Sequence, residues 1–237
     1  MVKRILFGAL TLLLALTLVG CGGKKNADAD KKDQTAQKTE IVAPEGSADK
    51  AILAYAQLCA YGMPDDDALK AAGLTEKDVA AAKEKVVDPL LKSFSQYPLN
   101  DESINRIKKE YPEKLQAAME IKATVKTDDK EKPVVELTAT TINKDGAAKV
   151  AEENADLMAL ATAFDELKVQ GLTDEDLKAS EDFQAFALES LDKYVNEFPL
   201  NEQASVDVIC VVKQGEDGKT YWAPEDISVV EKFVTGE

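Results

Sequence analysis

Ser47 and Lys50 stand at the Ser-x-x-Lys spacing, in which a lysine one helical turn away takes the proton of a serine nucleophile. That chemistry would be acyl transfer of the β-lactamase and penicillin-binding-protein kind. The partner motifs Ser-Asp-Asn and Lys-Thr-Gly are missing from the chain. Ser47 follows Gly46 at an expected helix start, so a helix N-cap explains it more simply. Thr141, Asn143, Asp145, Gly146 and Glu152 fall at positions 1, 3, 5, 6 and 12 of a calcium-loop template. The template wants Asp where Thr141 stands, and Lys149 has the wrong sign for position 9, so the plainer reading of 143–146 is a strand-to-helix turn. Asp65, Asp66 and Asp67 would suit a cation, yet acids also favour helix starts, and a short turn follows at 67–72. The chain has no His, which removes Ser-His and Cys-His nucleophile pairs and every imidazole metal ligand. Its 44 acidic residues single out no pair for glycoside cleavage, and phosphate-cradling glycine loops are absent. The expectation is a protein with no catalytic residue, no metal site and no cofactor.

Such residues need elements to hold them. An apolar helix is expected over 48–61, carrying Ile52, Tyr55, Ala56 and Cys59 on one face. Gly73 then breaks the chain, and Thr75 with Asp78 three residues on opens a second helix whose apolar face runs Val79, Ala82, Val86, Leu90, Phe94 and Tyr97. Pro98 ends it. A further helix spans 101–118, interrupted or bent near Pro112. Residues 119–125 alternate, 128–130 turn, and 134–142 are rich in β-branched side chains, which predicts a hairpin.

The same order returns. Gly73-Leu74-Thr75-Glu76-Lys77-Asp78-Val79 recurs as Gly171-Leu172-Thr173-Asp174-Glu175-Asp176-Leu177, and Tyr97-Pro98-Leu99-Asn100-Asp101 as Phe198-Pro199-Leu200-Asn201-Glu202. Two matches in the same order point to an internal duplication. In the second copy a helix over 147–169 precedes Gly171, a helix carries Leu177, Phe183, Phe186, Leu191, Tyr194 and Phe198, and strands follow at 204–213 and 220–222. A closing helix runs over 225–234. The fold class is α+β: two pseudo-repeats, 47–146 and 147–237, each of helices followed by an antiparallel hairpin. Tyr55, Tyr61, Phe94, Phe183, Phe186 and Trp222 would line a pocket or, more plainly, fill the core. Cys59 and Cys210 sit among apolar residues without metal-like spacing; export would permit a disulfide, and their surroundings favour two buried free thiols.

Ahead of this body, Lys3 and Arg4 precede an apolar run from Ile5 to Val19, too short for a comfortable span. Residues 1–20 read as a secretory signal peptide. Leu18-Val19-Gly20-Cys21 resembles the bacterial lipobox, which implies cleavage before Cys21 and transfer of a diacylglyceryl group, with acyl chains of the palmitate type, to its thiol. The alternative is an ordinary signal peptide with a chance Cys. Residues 21–46 hold Lys, Asp, Gln and Thr with almost nothing apolar, so they read as a disordered polar tether. The formal charge of -15 excludes phosphate-driven binding of nucleic acid and repels anionic lipid. A domain held at the extracytoplasmic face of the cell membrane by lipid on Cys21 is expected, standing off the surface.

With Cys21, the two Gly-Leu-Thr segments, the two hairpins and the ending from Tyr221-Trp222-Ala223-Pro224 to Glu237, the chain resembles a Gram-positive (Firmicute) lipoprotein family with a duplicated α+β domain of unknown function. The resemblance implies an NTF2-like or cystatin-like fold, with a helix across a curved sheet, and no reaction. The Gln-x-Val-x-Gly hairpin of cystatin inhibitors is absent. The function expected is a non-enzymatic binding or interaction module of the cell envelope. Its partner would be an envelope protein or, alternatively, a small ligand in a pocket between helix and curved sheet.

Overall fold

The computed structural model of the chain describes residue 44 and residues 46–236. The signal peptide, nearly all of the tether and Cys21 lie outside the described residues. Helix α1 (Ala48–Tyr61) is rich in alanine, and its buried residues lie on more than one side, including Ala51, Ile52, Ala54, Ala56 and Ala60. Small side chains let a helix approach its neighbours closely, and burial around its circumference makes it a central element. The turn that follows ends at Gly62, which adopts the left-handed conformation that closes a helix. Helices α2 (Asp66–Ala71), α3 (Glu76–Ser93) and α4 (Asp101–Ala118) come next.

Strands β1 (Ile121–Thr127) and β2 (Val134–Ala139) form the first hairpin. Then come α5 (Lys144–Glu153), α6 (Ala155–Val169), α7 (Asp174–Ala179) and α8 (Glu181–Asn196). Strands β3 (Ala204–Gln214) and β4 (Thr220–Pro224) form the second hairpin, and α9 (Ile227–Thr235) closes the described chain. The two hairpins join in one antiparallel sheet of order β1-β2-β3-β4, with Leu137 opposite Val206 and Val135 opposite Val208 at the join. The protein is α+β, with helices packed on a small antiparallel sheet.

Two hydrophobic cores result. In the first, α1 and α9 cover one face of the sheet, where Val135, Leu137, Val208 and Cys210 meet Ile52, Val230 and Val234. The second lies among α3, α4, α6 and α8 and is aromatic: Tyr97 stands edge-on to Phe164, and Tyr194 edge-on to Phe198 at 4.8 Å between centroids. Tyr111 of α4 packs against both cores.

Both predicted capping boxes form. The Thr75 N–H donates to Asp78 at 2.8 Å and the Thr173 N–H to Asp176 at 2.8 Å, and each threonine hydroxyl accepts in return. Three expectations are corrected. The helix expected over 147–169 is two, α5 and α6, because Asn154 ends one and caps the next by accepting the Leu157 N–H. The helix expected through Leu177 to Phe198 is also two, since Ser180 accepts the Phe183 N–H and starts α8 afresh. The helix face expected to run on to Tyr97 before Pro98 is shorter, since α3 stops at Ser93. Helix α4 spans 101–118 as expected and runs through the buried Pro112 without interruption.

Candidate functional site

Where the two cores meet, a cavity of about 370 Å³ remains. Six helices and their ends enclose it. Leu58 and Cys59 come from α1, Val86 and Leu90 from α3, Tyr111 and Leu115 from α4, Ala147 from α5, Tyr194 from α8 and Val234 from α9. No residue of the four strands lines it. The pocket expected between helix and curved sheet is therefore corrected: α1 lies so close to the sheet that this space is filled core, and the open space lies on the far side of α1, among helices. The physical reason is the alanine content of α1, which leaves no room on the sheet side.

The charged side chains at the cavity are Lys85, Lys144 and Glu231. Lys85 of α3 donates to Glu231 of α9 at 2.5 Å, with Lys85 half exposed and Glu231 one-fifth exposed (50% and 19%). The half-buried Cys59 lies within the field of this pair. Burial, then the Glu231 carboxylate, push its thiol up to about 12, and Lys85 opposes them. A neutral thiol is a poor nucleophile, so Cys59 acts here as an apolar wall. Burial raises the Tyr111 and Tyr194 phenols as well, so both stay protonated. The site offers apolar volume, two cations and one carboxylate.

The residues singled out from sequence fall elsewhere. Ser47 and Lys50 are exposed at the start of α1, and Ser47 occupies the N-cap position without a side-chain capping bond. The Thr141 hydroxyl accepts from Asn201 Nδ2 at 2.9 Å, and Asn143 caps α5 by accepting the Gly146 N–H at 2.8 Å, so the oxygens of the first two template positions have protein partners. The Asp65 carboxylate makes no cap for α2. It accepts from Gln57 Nε2 at 3.0 Å, while its own N–H donates to Gln57 Oε1 at 3.0 Å. Among the described residues no three carboxylates or thiols gather to hold a metal ion.

The aromatic set Tyr55, Tyr61, Phe94, Phe183, Phe186 and Trp222 belongs to the two cores and does not line the cavity. Tyr111, Tyr194 and Phe198 line it instead. Tyr111 stands just before Pro112, and Tyr194 and Phe198 share the apolar face of an expected helix, so no spacing along the chain marks them as cavity residues. Cys59 and Cys210 are both free thiols.

The cavity and the sheet thus define an α+β protein with an apolar chamber enclosed by helices. Among solved structures the chain is similar to a candidate lipoprotein of Bacillus subtilis, YcdA, at 16% identity and a TM-score of 0.48, over 79% of this chain and 55% of that one. The chain spans about half the length of that structure. No protein-family model matches the chain, and no curated protein does. Among the described residues no helix is long and apolar enough to cross a membrane.

Proposed function

We propose that the chain is a lipid-anchored, non-enzymatic binding protein of the extracytoplasmic membrane face that holds a small apolar ligand in its interhelical cavity. The cavity carries this reading. Its volume of about 370 Å³ falls in the range of small-molecule sites, and its wall is apolar with a few polar groups. The Leu18-Val19-Gly20-Cys21 segment supports the anchor, by acylation of Cys21. The paired capping boxes support reading 47–146 and 147–237 as copies of one unit, here sharing a sheet.

Magnitudes set what the cavity can achieve. Each buried methylene contributes ~0.8 kcal/mol. About ten of them supply ~8 kcal/mol, against an association cost of ~4–15 kcal/mol. Apolar contact alone therefore gives weak binding, and polar contacts at the mouth decide the affinity.

The test is uptake of the neutral fluorophore N-phenyl-1-naphthylamine by the whole chain carrying Cys21→Ala, which cannot be acylated there. A saturable rise in emission is expected, and it should vanish when Ala82→Phe places a ring into the cavity from α3. Emission that stays at the buffer level, or uptake that Ala82→Phe leaves unchanged, would remove the cavity as the binding site.

A further inference from the structure

Resting on that reading, we infer that the ligand is an uncharged single-chain amphiphile ending in a hydroxyl group, a fatty alcohol being the simplest, and that this hydroxyl lies against Lys85, Glu231 and Thr235. The first support is charge balance. Lys85 and Glu231 are joined at 2.5 Å, so the pair carries no net charge. Lys144, also at the cavity, has a partner of its own. An anionic head would meet the Glu231 carboxylate, and a cationic head would meet the Lys85 ammonium. Either would leave water without a counter-charge to receive it, which is costly. A neutral head meets no such penalty.

The second support is hydrogen-bonding capacity. A lysine ammonium has three donors and an ionised carboxylate about four acceptor sites. The bond between Lys85 and Glu231 uses one of each. A hydroxyl both donates and accepts. It gives its hydrogen to the Glu231 carboxylate and takes one from the Lys85 ammonium, bridging the pair without disturbing its charge. An ether lacks the donor and a hydrocarbon lacks both functions.

The third support is an orphan hydroxyl. Thr235 lines the cavity one helical turn beyond Glu231, on the same face of α9. Its Oγ1 is buried and has no hydrogen-bond partner among the described residues. Buried hydroxyls are nearly always bonded. In a helix threonine has two χ1 rotamers open to it, so a turn about Cα–Cβ brings this hydroxyl to the cavity and to a ligand oxygen beside Glu231.

Size sets the chain. A methylene takes about as much room as a water molecule, whose share of liquid volume is ~30 Å³, so a cavity of about 370 Å³ holds about a dozen carbons. Leu90, Leu115 and Val234 are buried in its wall. A two-chain phospholipid exceeds that room, and a single chain suits it.

The test is displacement of N-phenyl-1-naphthylamine from the Cys21→Ala chain by decanol, methyl decyl ether, decanoate and decyltrimethylammonium, each below its solubility or micellar limit. Decanol should displace at about tenfold lower concentration than the other three, the gain expected of one well-made hydrogen bond. Thr235→Val keeps the shape of the side chain and removes its hydroxyl, so it should narrow the gap between decanol and the ether and leave the ether unchanged. Glu231→Gln should move the preference toward decanoate, and Lys85→Gln toward the ammonium, because each leaves one charge of the pair alone. Equal displacement by decanol and the ether would overturn the hydroxyl and leave the apolar cavity standing. Preference of the native pair for either charged head would overturn the uncharged ligand. Failure of the probe to bind at all would sink the parent reading as well, and so be told apart from either.

Discussion

Gln184 Oε1 accepts the backbone N–H of Asn100 at 2.9 Å, although the two residues lie in different halves of the chain. The same amide donates from Nε2 to the carbonyls of Pro98 and Leu177, each at 3.0 Å. One buried side chain thus ties the turn after α3 to the helices α7 and α8. Replacing it strands backbone groups in a region closed to water, and each such group costs ~1–3 kcal/mol. Gln184→Ala should lower the free energy of unfolding by about 2–4 kcal/mol in a urea titration. A loss below about 0.5 kcal/mol would show that water replaces the amide without penalty.

The two Gly-Leu-Thr glycines should respond very differently to a methyl group. Gly73 and Gly171 both have positive φ, at 62° and 91°. A Cβ on Gly171 meets nothing within 4 Å, so Gly171→Ala should cost only the left-handed penalty of ~1–2 kcal/mol. A Cβ on Gly73 would collide with the ring of Tyr221, whose hydroxyl is held by Asp217 at 2.6 Å. Gly73→Ala should therefore cost about 3 kcal/mol or more. Equal melting temperatures for the two variants would contradict this.

The thiols should be slow. Cys59 and Cys210 are each pushed up to about 12, in both cases mainly by burial. The thiolate is the reactive species, so at pH 8 this displacement cuts its fraction about a thousandfold. The Cys21→Ala chain should react with a disulfide reagent only after unfolding in guanidinium. Rapid reaction of one thiol in the native protein would place Cys59, at the cavity wall, in a far more open setting.

Acid should loosen the start of α7 through Asp176. The backbone N–H of Thr173, and then its hydroxyl, hold this carboxyl below the usual carboxylate range. A lowered folded value means the stabilisation is fully present above about pH 4, the unfolded value, and fades as pH falls through the folded one. Thermal melts of the native chain and Asp176→Asn should differ at pH 6 and draw together as pH falls below about 4. A gap that stays constant across that range would assign the effect to shape instead of charge.

Local signals were readable wherever a few neighbouring residues decide the outcome. Thr75 with Asp78, and Thr173 with Asp176, announce their helices because a capping box closes within four residues. Both hairpins follow from alternation and turn residues. The breaks at Asn154 and Ser180 were also written locally, as cap residues, with Glu181 and Asp182 after Ser180, but continuous apolar spacing outweighed them. The cavity was of another kind. Leu58, Val86, Tyr111, Ala147, Tyr194 and Val234 come together only through tertiary packing, and no spacing along the chain encodes a space that side chains leave empty. The same holds for Lys85 and Glu231, which lie 146 residues apart in the chain.

The pairing of β2 with β3 bears on the time order of assembly. A chain is made, and would be exported, amino end first. Strand β2 is complete at Ala139, yet its partner begins only at Ala204, after four helices. Until then Val135 and Leu137 can be covered by α1 on one face, but the edge that β3 will occupy is bare. An unpaired edge beside apolar residues is where chains add to one another. Rapid supply of residues 140–214, or a helper that shields that edge, therefore governs how much of the product reaches the folded state, independently of how stable that state is once closed.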